Sequence, residues 1–134
     1  METLGSIAVL MSVYIKEKPE YLDLAMKSIW TEQTLKPAQV IIIQDGDLTP
    51  DLLAVLDKWR QIIPEDIFVY HKNDENLGLT KSMNIGIKYV KEKYIARIDS
   101  DDICLPEKFE KQYEYLESHP KISILGTQVQ EIDA

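Results

Sequence analysis

The sequence is poor in cysteine and in clustered basic residues, and each shortage excludes a class of protein. Its one cysteine, Cys104, has no second cysteine for an internal disulfide, which favours a reducing compartment. Fifteen Lys and Arg stand against 23 Asp and Glu, for a formal net charge of -8. Binding to a nucleic-acid backbone needs clustered positive charge, and no such cluster is present. We therefore expect neither a disulfide scaffold nor a nucleic-acid partner.

Long apolar runs are also missing. The longest, Ile7–Met11 and Val40–Ile43, are far shorter than the roughly 20 residues that cross a bilayer. No extended apolar segment follows a basic start, as it would in a signal peptide. The 134 residues suffice for one domain with its own hydrophobic core. We expect a cytoplasmic domain with no membrane span in this chain, which could lie against the inner face of a membrane.

What the chain does contain is a regular alternation of apolar segments with two different periodicities. Short β-branched segments predict strands at Ile7–Val13, Val40–Ile43, Ile67–Tyr70, Tyr94–Ile98 and Ile122–Val129. Between them, apolar residues recur at helical spacing over about residues 20–32, 49–63 and 79–91, and after Pro106. This alternation is typical of βαβ units. It predicts an α/β protein with three layers, α/β/α, around a mostly parallel sheet.

Three carboxylates follow the fourth predicted strand within four positions: Asp99, Asp101 and Asp102. Side chains alternate along a strand, so Asp99 and Asp101 should point the same way, where their like charges repel. Mg²⁺ or Mn²⁺ would neutralise them, because hard divalent cations take oxygen ligands and can bridge them to phosphate. The alternative is that Asp101 and Asp102 only cap the next helix.

Polar side chains follow two further predicted strands. Tyr14 comes directly after the first strand, and Asp45 comes after the second. In parallel sheets, ligands bind beyond the carboxyl ends of the strands. An aromatic ring, a lone carboxylate and an acidic pair at that edge would suit a base, its ribose and a metal-bound diphosphate.

Taken together, four segments resemble the nucleotide-binding half of inverting glycosyltransferases of family 2, which have the Rossmann-like GT-A fold. The matching segments are Met11–Tyr14, Gln44–Gly46, Asn76–Asn84 with Gly86, and Tyr94–Asp102 leading to Pro106. The resemblance covers nearly the whole chain, with the segments in the family's order. It implies transfer of a sugar from a nucleotide-diphosphate donor, most simply a UDP-sugar, to a saccharide or lipid-linked acceptor.

The resemblance also implies roles for individual residues. Asp101 would coordinate Mn²⁺ or Mg²⁺, and Asp99 would help hold the metal or contact the ribose. Asp45 would accept a hydrogen bond from the ring N–H of uracil, a role that suits an acceptor-only carboxylate. The remaining expected nucleotide-sugar contacts are Val13 and Tyr14 around the base, Ser100 between the two acids, and Lys81 and Asn84 on the third helix. A lysine such as Lys81 is more often a solvated helix charge, and Asn84 could hydrogen-bond a neighbouring loop instead of a ligand.

Some positions depart from the family pattern. Ile15 replaces an asparagine, Gln44 replaces the first of two acids, and Glu92 occupies a region where glycine is usual. The family's catalytic base and acceptor site would lie beyond Ala134. We therefore expect residues 1–134 to form a single nucleotide-sugar-binding domain, truncated before the acceptor half and inactive alone.

Two rival functions remain open from the sequence. A sugar-phosphate nucleotidyltransferase would also combine a parallel sheet, a nucleotide and a metal, but it needs a glycine-rich loop after the first strand. The segment Tyr14–Lys18 contains no glycine. The second rival is a non-catalytic binding or assembly domain, in which the acidic turn has only a structural role.

Overall fold

The computed structural model describes residues 4–118 and has four strands and four helices in strict alternation. The strands are β1 (Leu4–Val13), β2 (Lys36–Asp45), β3 (Phe68–Asn73) and β4 (Tyr94–Arg97). The helices are α1 (Pro19–Ile29), α2 (Pro50–Ile62), α3 (Leu79–Ile87) and α4 (Lys108–Ser118). None of the helices in this described part is long and apolar enough to cross a membrane.

The strands form one parallel sheet in the order β3-β2-β1-β4. Val9 of β1 pairs with Val40 of β2 on one side and with Ala96 of β4 on the other. The chain therefore adds β2 and β3 to one side of β1 and then crosses to place β4 on the opposite side. This reversal of direction opens a crevice at the carboxyl ends of β1 and β4, where ligands bind in open α/β sheets.

Alternate residues of the central strands enter two separate apolar cores. Ile7, Val9, Met11 and Val13 of β1 pack with Val40 and Ile42 of β2 in a core closed by residues of α1, α2 and α4. Ala8 and Leu10 pack with Ile41 and Ile43 on the other face, under Met83 of α3. A strand that buries both faces has no polar alternation, which explains the continuous apolar runs in the sequence. The predicted three-layer α/β/α fold is confirmed.

Helix α3 lies very close to the sheet because two of its three buried residues are small. Ser82, Met83 and Gly86 are its buried positions. A Cβ atom built on Gly86 would lie 2.2 Å from Leu10 Cδ1, so any side chain there would require Leu10 to move. The helical spacing of Leu79, Met83, Ile87 and Val90 predicts a different inner face, and that prediction is wrong for Leu79 and Ile87, which are exposed.

Several predicted boundaries also differ from the structure. Helix α1 ends at Ile29 and α3 at Ile87, both earlier than the apolar periodicity indicates. Strand β2 begins at Lys36 and includes Pro37, which is tolerated near the start of a strand. Strand β3 continues through the polar residues His71–Asn73, a segment that composition alone assigns to a turn. The predicted strand Ile122–Val129 lies outside the described residues.

Candidate functional site

A cavity of about 570 Å³ opens at the carboxyl edge of the sheet. Its walls come from the carboxyl ends of β1 and β2, the loops that follow β1 and β4, the first turn of α1 and the segment leading into α3. The predicted site residues among its lining are Tyr14, Asp45, Asp99, Ser100 and Asp101. Side chains from three strand ends thus share one crevice, at the position that the sheet topology favours for a ligand.

The acidic loop, Asp99–Asp102, forms one wall as a tight turn. The backbone N–H of Asp102 donates to the carbonyl of Asp99 at 3.0 Å, and the N–H of Asp99 donates to Asp102 Oδ2 at 3.2 Å. Helix α4 begins only at Lys108. Asp101 and Asp102 therefore do not cap that helix, contrary to the alternative drawn from the sequence, and Asp102 instead accepts a hydrogen bond within the acidic loop.

The three carboxylates of the acidic loop form a concentrated negative charge. One oxygen from each of Asp99, Asp101 and Asp102 lies within 4.8 Å of the others. Burial raises the pKa of the Asp99 carboxyl, and the negative charges of Asp102, Asp101 and Glu17 raise it further against the opposing charge of Arg97. Hard oxygen donors at this spacing fit Mg²⁺ or Mn²⁺, whose charge would offset the repulsion between them.

Asp45 is nearly fully buried, at 3% exposed, and its carboxylate joins β2 to the start of α3. Its Oδ1 accepts from Asn73 Nδ2 at 3.0 Å and from the backbone N–H of Leu77 at 2.7 Å. Its Oδ2 accepts from the N–H of Gly78 at 3.0 Å. Burial alone would raise the pKa of Asp45, but these bonds and one from Ser82 outweigh it and lower the pKa. Asp45 thus fixes the part of the cavity wall that precedes α3.

Glu17 connects two of the cavity walls. It lies in the β1–α1 loop, Tyr14–Lys18, and its Oε1 accepts a hydrogen bond from the Ser100 hydroxyl in the acidic loop. Its Oε2 accepts from the backbone N–H of Lys18 at 3.0 Å. Ser100 is 6% exposed, so this contact is shielded from solvent on the serine side. One carboxylate therefore holds the loop after β1 against the loop after β4.

The β1–α1 loop also supplies the aromatic and basic parts of the cavity. Tyr14 is 45% exposed, which leaves much of its ring available to a ligand. Lys16 and Lys18 of this loop line the same cavity, as does Tyr21 of α1, and Lys18 Nζ lies 5.4 Å from the centre of the Tyr21 ring. The crevice thus contains positive side chains as well as the acidic loop, and a metal-bound diphosphate would interact with both.

The other predicted site residues lie elsewhere. Val13 is fully buried in the core beneath the cavity. Lys81 and Asn84 are exposed on α3, and neither is among the residues described as lining the cavity. Their proposed contacts with a nucleotide-sugar remain predictions.

Sequence reasoning missed two residues that organise the site. Glu17 belongs to a short polar loop, and nothing in its local sequence separates it from Lys16 or Lys18. Asn73 lies in β3 and holds Asp45, but its polar neighbours make the segment resemble a turn. Asn73 Oδ1 is buried without a hydrogen-bond partner among the described residues. Only the pairing of Asp45 with Asn73 in the sheet brings the two side chains together.

Comparison with protein families gives a match to the model described as Glycosyl transferase family 2, over residues 8–134. Among curated proteins, the amylovoran biosynthesis glycosyltransferase AmsE of Erwinia amylovora is 42% identical over 126 residues, covering 94% of this chain and 46% of that protein. The UDP-Gal:alpha-D-GlcNAc-diphosphoundecaprenol beta-1,3-galactosyltransferase of Escherichia coli is 35% identical, covering 94% and 44%. The chain spans less than half the length of these relatives.

Solved structures show the same fold at low identity. Residues 1–349 of S. aureus TarS, in complex with UDP, superpose with a TM-score of 0.72 at 20% identity, covering 90% of this chain and 33% of that one. The mannosyltransferase PcManGT from Pyrobaculum calidifontis, in complex with GDP-Man and Mn²⁺, has a TM-score of 0.63 at 14% identity, covering 75% and 28%.

Proposed function

The chain belongs to glycosyl transferase family 2, and from this membership we propose that the intact protein transfers a sugar from a UDP-sugar to a saccharide or lipid-linked acceptor, with inversion. The observation that carries the proposal is the cavity in which Tyr14, Asp45 and the acidic loop meet. A nucleotide-sugar presents a base, a ribose and a diphosphate. The cavity has matching chemistry for each.

The acidic loop would hold the metal ion. Asp99, Asp101 and Asp102 can each direct one carboxylate oxygen to a common point. A bound Mn²⁺ or Mg²⁺ would stabilise the negative charge that develops on the departing diphosphate. Lys16 and Lys18 line the same cavity and would add positive charge to it.

Tyr14 and Asp45 would bind the base. Tyr14 has an exposed ring at the cavity's edge and would pack against uracil. Asp45 would accept the hydrogen bond from the uracil ring N–H. Its carboxylate is already bonded to Leu77, Gly78 and Asn73, so a base N–H would share an oxygen with one of these donors.

The acceptor half of the reaction would belong to the part of the relatives' length that this chain does not match. There we place the base that deprotonates the acceptor hydroxyl for direct attack on the anomeric carbon. One relative carries a lipid-linked acceptor, a diphosphoundecaprenol, in its name. Support for such an acceptor in this protein comes from that similarity. Val13, Lys81 and Asn84 are likewise proposed as donor contacts from similarity to the family.

The test is calorimetric titration of the chain with UDP, in the presence and absence of Mn²⁺. We expect Mn²⁺ to strengthen UDP binding, and Asp101→Ala to remove at least tenfold of that enhancement, because it deletes a metal ligand. Asp66→Ala is the matched control. Asp66 is exposed and lies just before β3, at the opposite edge of the sheet. Equal Mn²⁺ enhancement in wild type and Asp101→Ala would refute the assigned role.

A further inference from the structure

We propose that Glu17 is a positioning residue for the donor site, which it builds by holding the β1–α1 loop and the acidic loop together through Ser100. The inference rests on the proposed nucleotide-sugar function and concerns a residue outside the matched motifs. Glu17 and Ser100 are 83 positions apart in sequence, yet the Ser100 hydroxyl donates to Glu17 Oε1.

Both oxygens of Glu17 are used to fix the geometry of this corner. Oε2 accepts from the N–H of Lys18 at 3.0 Å, and the N–H of Glu17 itself donates to the carbonyl of Tyr14 at 3.1 Å. The loop that carries Tyr14 is thus folded back on itself around Glu17. The remaining oxygen is directed at the acidic loop. Movement of Glu17 would therefore separate the Tyr14 wall from the Asp99–Asp102 wall.

The bond also fixes what Ser100 can offer a ligand. A carboxylate only accepts hydrogen bonds, so the Ser100 hydroxyl proton is directed towards Glu17. The oxygen lone pairs of Ser100 are then the groups left for the cavity. Such an oxygen accepts a hydrogen bond from a hydroxyl, as on a ribose or a sugar, and it repels a phosphate oxygen. Glu17 thereby favours a hydroxyl next to Ser100, with the diphosphate directed to the metal ligands.

The test combines two measurements on the 134-residue chain with Glu17→Ala, Glu17→Gln, Ser100→Ala and the double variant Glu17→Ala/Ser100→Ala. The first is a double-mutant cycle on urea unfolding without ligand, which reports whether the two side chains are coupled. The second is calorimetry with Mn²⁺ and UDP, and with UDP alone. Glu20→Ala removes the same charge from an exposed position on α1 and serves as the control.

We expect non-additive unfolding effects for Glu17→Ala and Ser100→Ala, because each removes the same bond. Glu17→Ala should weaken Mn²⁺–UDP binding about tenfold, the size seen when a group that orients metal ligands is lost. UDP binding without metal should change less than threefold. Glu17→Gln should recover most of the lost affinity, and Glu20→Ala should match wild type.

Additive unfolding effects would overturn the proposal, as would Mn²⁺–UDP binding that Glu17→Ala leaves unchanged. A Glu17→Gln variant as weak as Glu17→Ala would also overturn it, since the charge and not the hydrogen bond would then matter. If wild type binds no UDP with or without Mn²⁺, the proposed function fails. The unfolding cycle then decides alone whether Glu17 holds the acidic loop.

Discussion

Two aspartates at the cavity, Asp45 and Asp99, have pKa values shifted in opposite directions by their surroundings. Burial would raise the pKa of both. Hydrogen bonds from Asn73, Leu77, Gly78 and Ser82 lower that of Asp45. Nearby carboxylates add to burial at Asp99. One residue therefore stabilises the ligand-free fold through its charge, and the other opposes it.

Asp45→Asn should destabilise the protein by about 1–3 kcal/mol at pH 7, because it removes an ionised acceptor from buried N–H donors. The lowered pKa means that this stability is present above the unfolded-state pKa, near 3.8, and is lost as pH falls through the folded-state value. Urea unfolding at pH 7 and at pH 3 measures both. The difference between wild type and variant should be smaller at pH 3.

Asp47→Asn is the control for that variant. Asp47 is two positions further along, its side chain is 85% exposed, and it pairs with Lys72 at the surface. Its substitution should change the unfolding free energy by less than about 0.5 kcal/mol. An Asp45→Asn variant as stable as Asp47→Asn at pH 7 would contradict the stabilising role of the Asp45 carboxylate.

Asp99→Asn should raise the melting temperature of the metal-free protein by a few degrees at pH 7, because a buried and repelled charge disappears. A raised folded-state pKa means that the ionised Asp99 carboxylate opposes folding and the protonated carboxyl favours it. The stability that protonated Asp99 contributes is present below the unfolded pKa and is lost as pH rises through the folded value. The same variant should lose most of the melting-temperature increase that Mn²⁺ and UDP produce. An Asp99→Asn variant that melts at a lower temperature than wild type without ligand, and that shows the full wild-type increase with Mn²⁺ and UDP, would contradict both expectations.

The positions of site residues were predictable where the sequence places polar groups directly after an apolar strand. Tyr14, Asp45 and Asp99 with Asp101 all follow this pattern, and the structure brings them to one cavity. Glu17 and Asn73 were not predictable in this way. Glu17 contacts Ser100 and Asn73 contacts Asp45, and both partners are distant in sequence. Local composition does not predict such contacts.

At the scale of elements, the turn after β2 shows how backbone conformation shapes the site. Gly46 has φ = +87°, a region that favours glycine. A Cβ atom at this position would lie 2.9 Å from the backbone nitrogen of Asn76, which lines the cavity. The turn after β2 and the loop before α3 therefore touch backbone to backbone, and they can do so only without a side chain at residue 46.

Gly46→Ala should destabilise the protein by about 1–3 kcal/mol and weaken UDP binding, because it combines an unfavourable φ with displacement of Asn76. Thermal unfolding and calorimetry with UDP measure the two effects. Asp47→Ala changes the adjacent, exposed residue and should leave both nearly unchanged. A fully stable Gly46→Ala protein with wild-type UDP affinity would show that this turn does not position the loop.

Element type and order followed from periodicity, but one packing face did not. The apolar residues of α3 suggested an inner face through Leu79 and Ile87, which are exposed in the structure. The helix instead uses Ser82 and Gly86, because small residues allow closer approach to Leu10 and Ile43. The spacing of apolar residues therefore does not by itself identify the face of a helix that packs on the sheet. Where a helix lies very close to a sheet, small residues occupy buried positions in place of large apolar ones.

At the scale of the whole molecule, the strand order decides where function can lie. The reversal around β1 places the ends of β1 and β4 side by side, and the site spans that crevice. A second cavity of about 250 Å³ lies between α2 and β3, lined in part by Arg60 and Tyr70. It lacks the acidic loop and has no part in the proposed donor site.

The most direct test of a donor site at the carboxyl ends of β1, β2 and β4 is therefore to locate Mn²⁺ and UDP by nuclear magnetic resonance on the ¹⁵N-labelled chain. We predict that, with UDP present, paramagnetic broadening by Mn²⁺ centres on the amides of Asp99–Asp102. UDP with diamagnetic Mg²⁺ should shift the amides of Tyr14 and Gly78. Broadening centred on Arg60 and Tyr70, or no saturable response to UDP in either cavity, would contradict a donor site built from these strand ends.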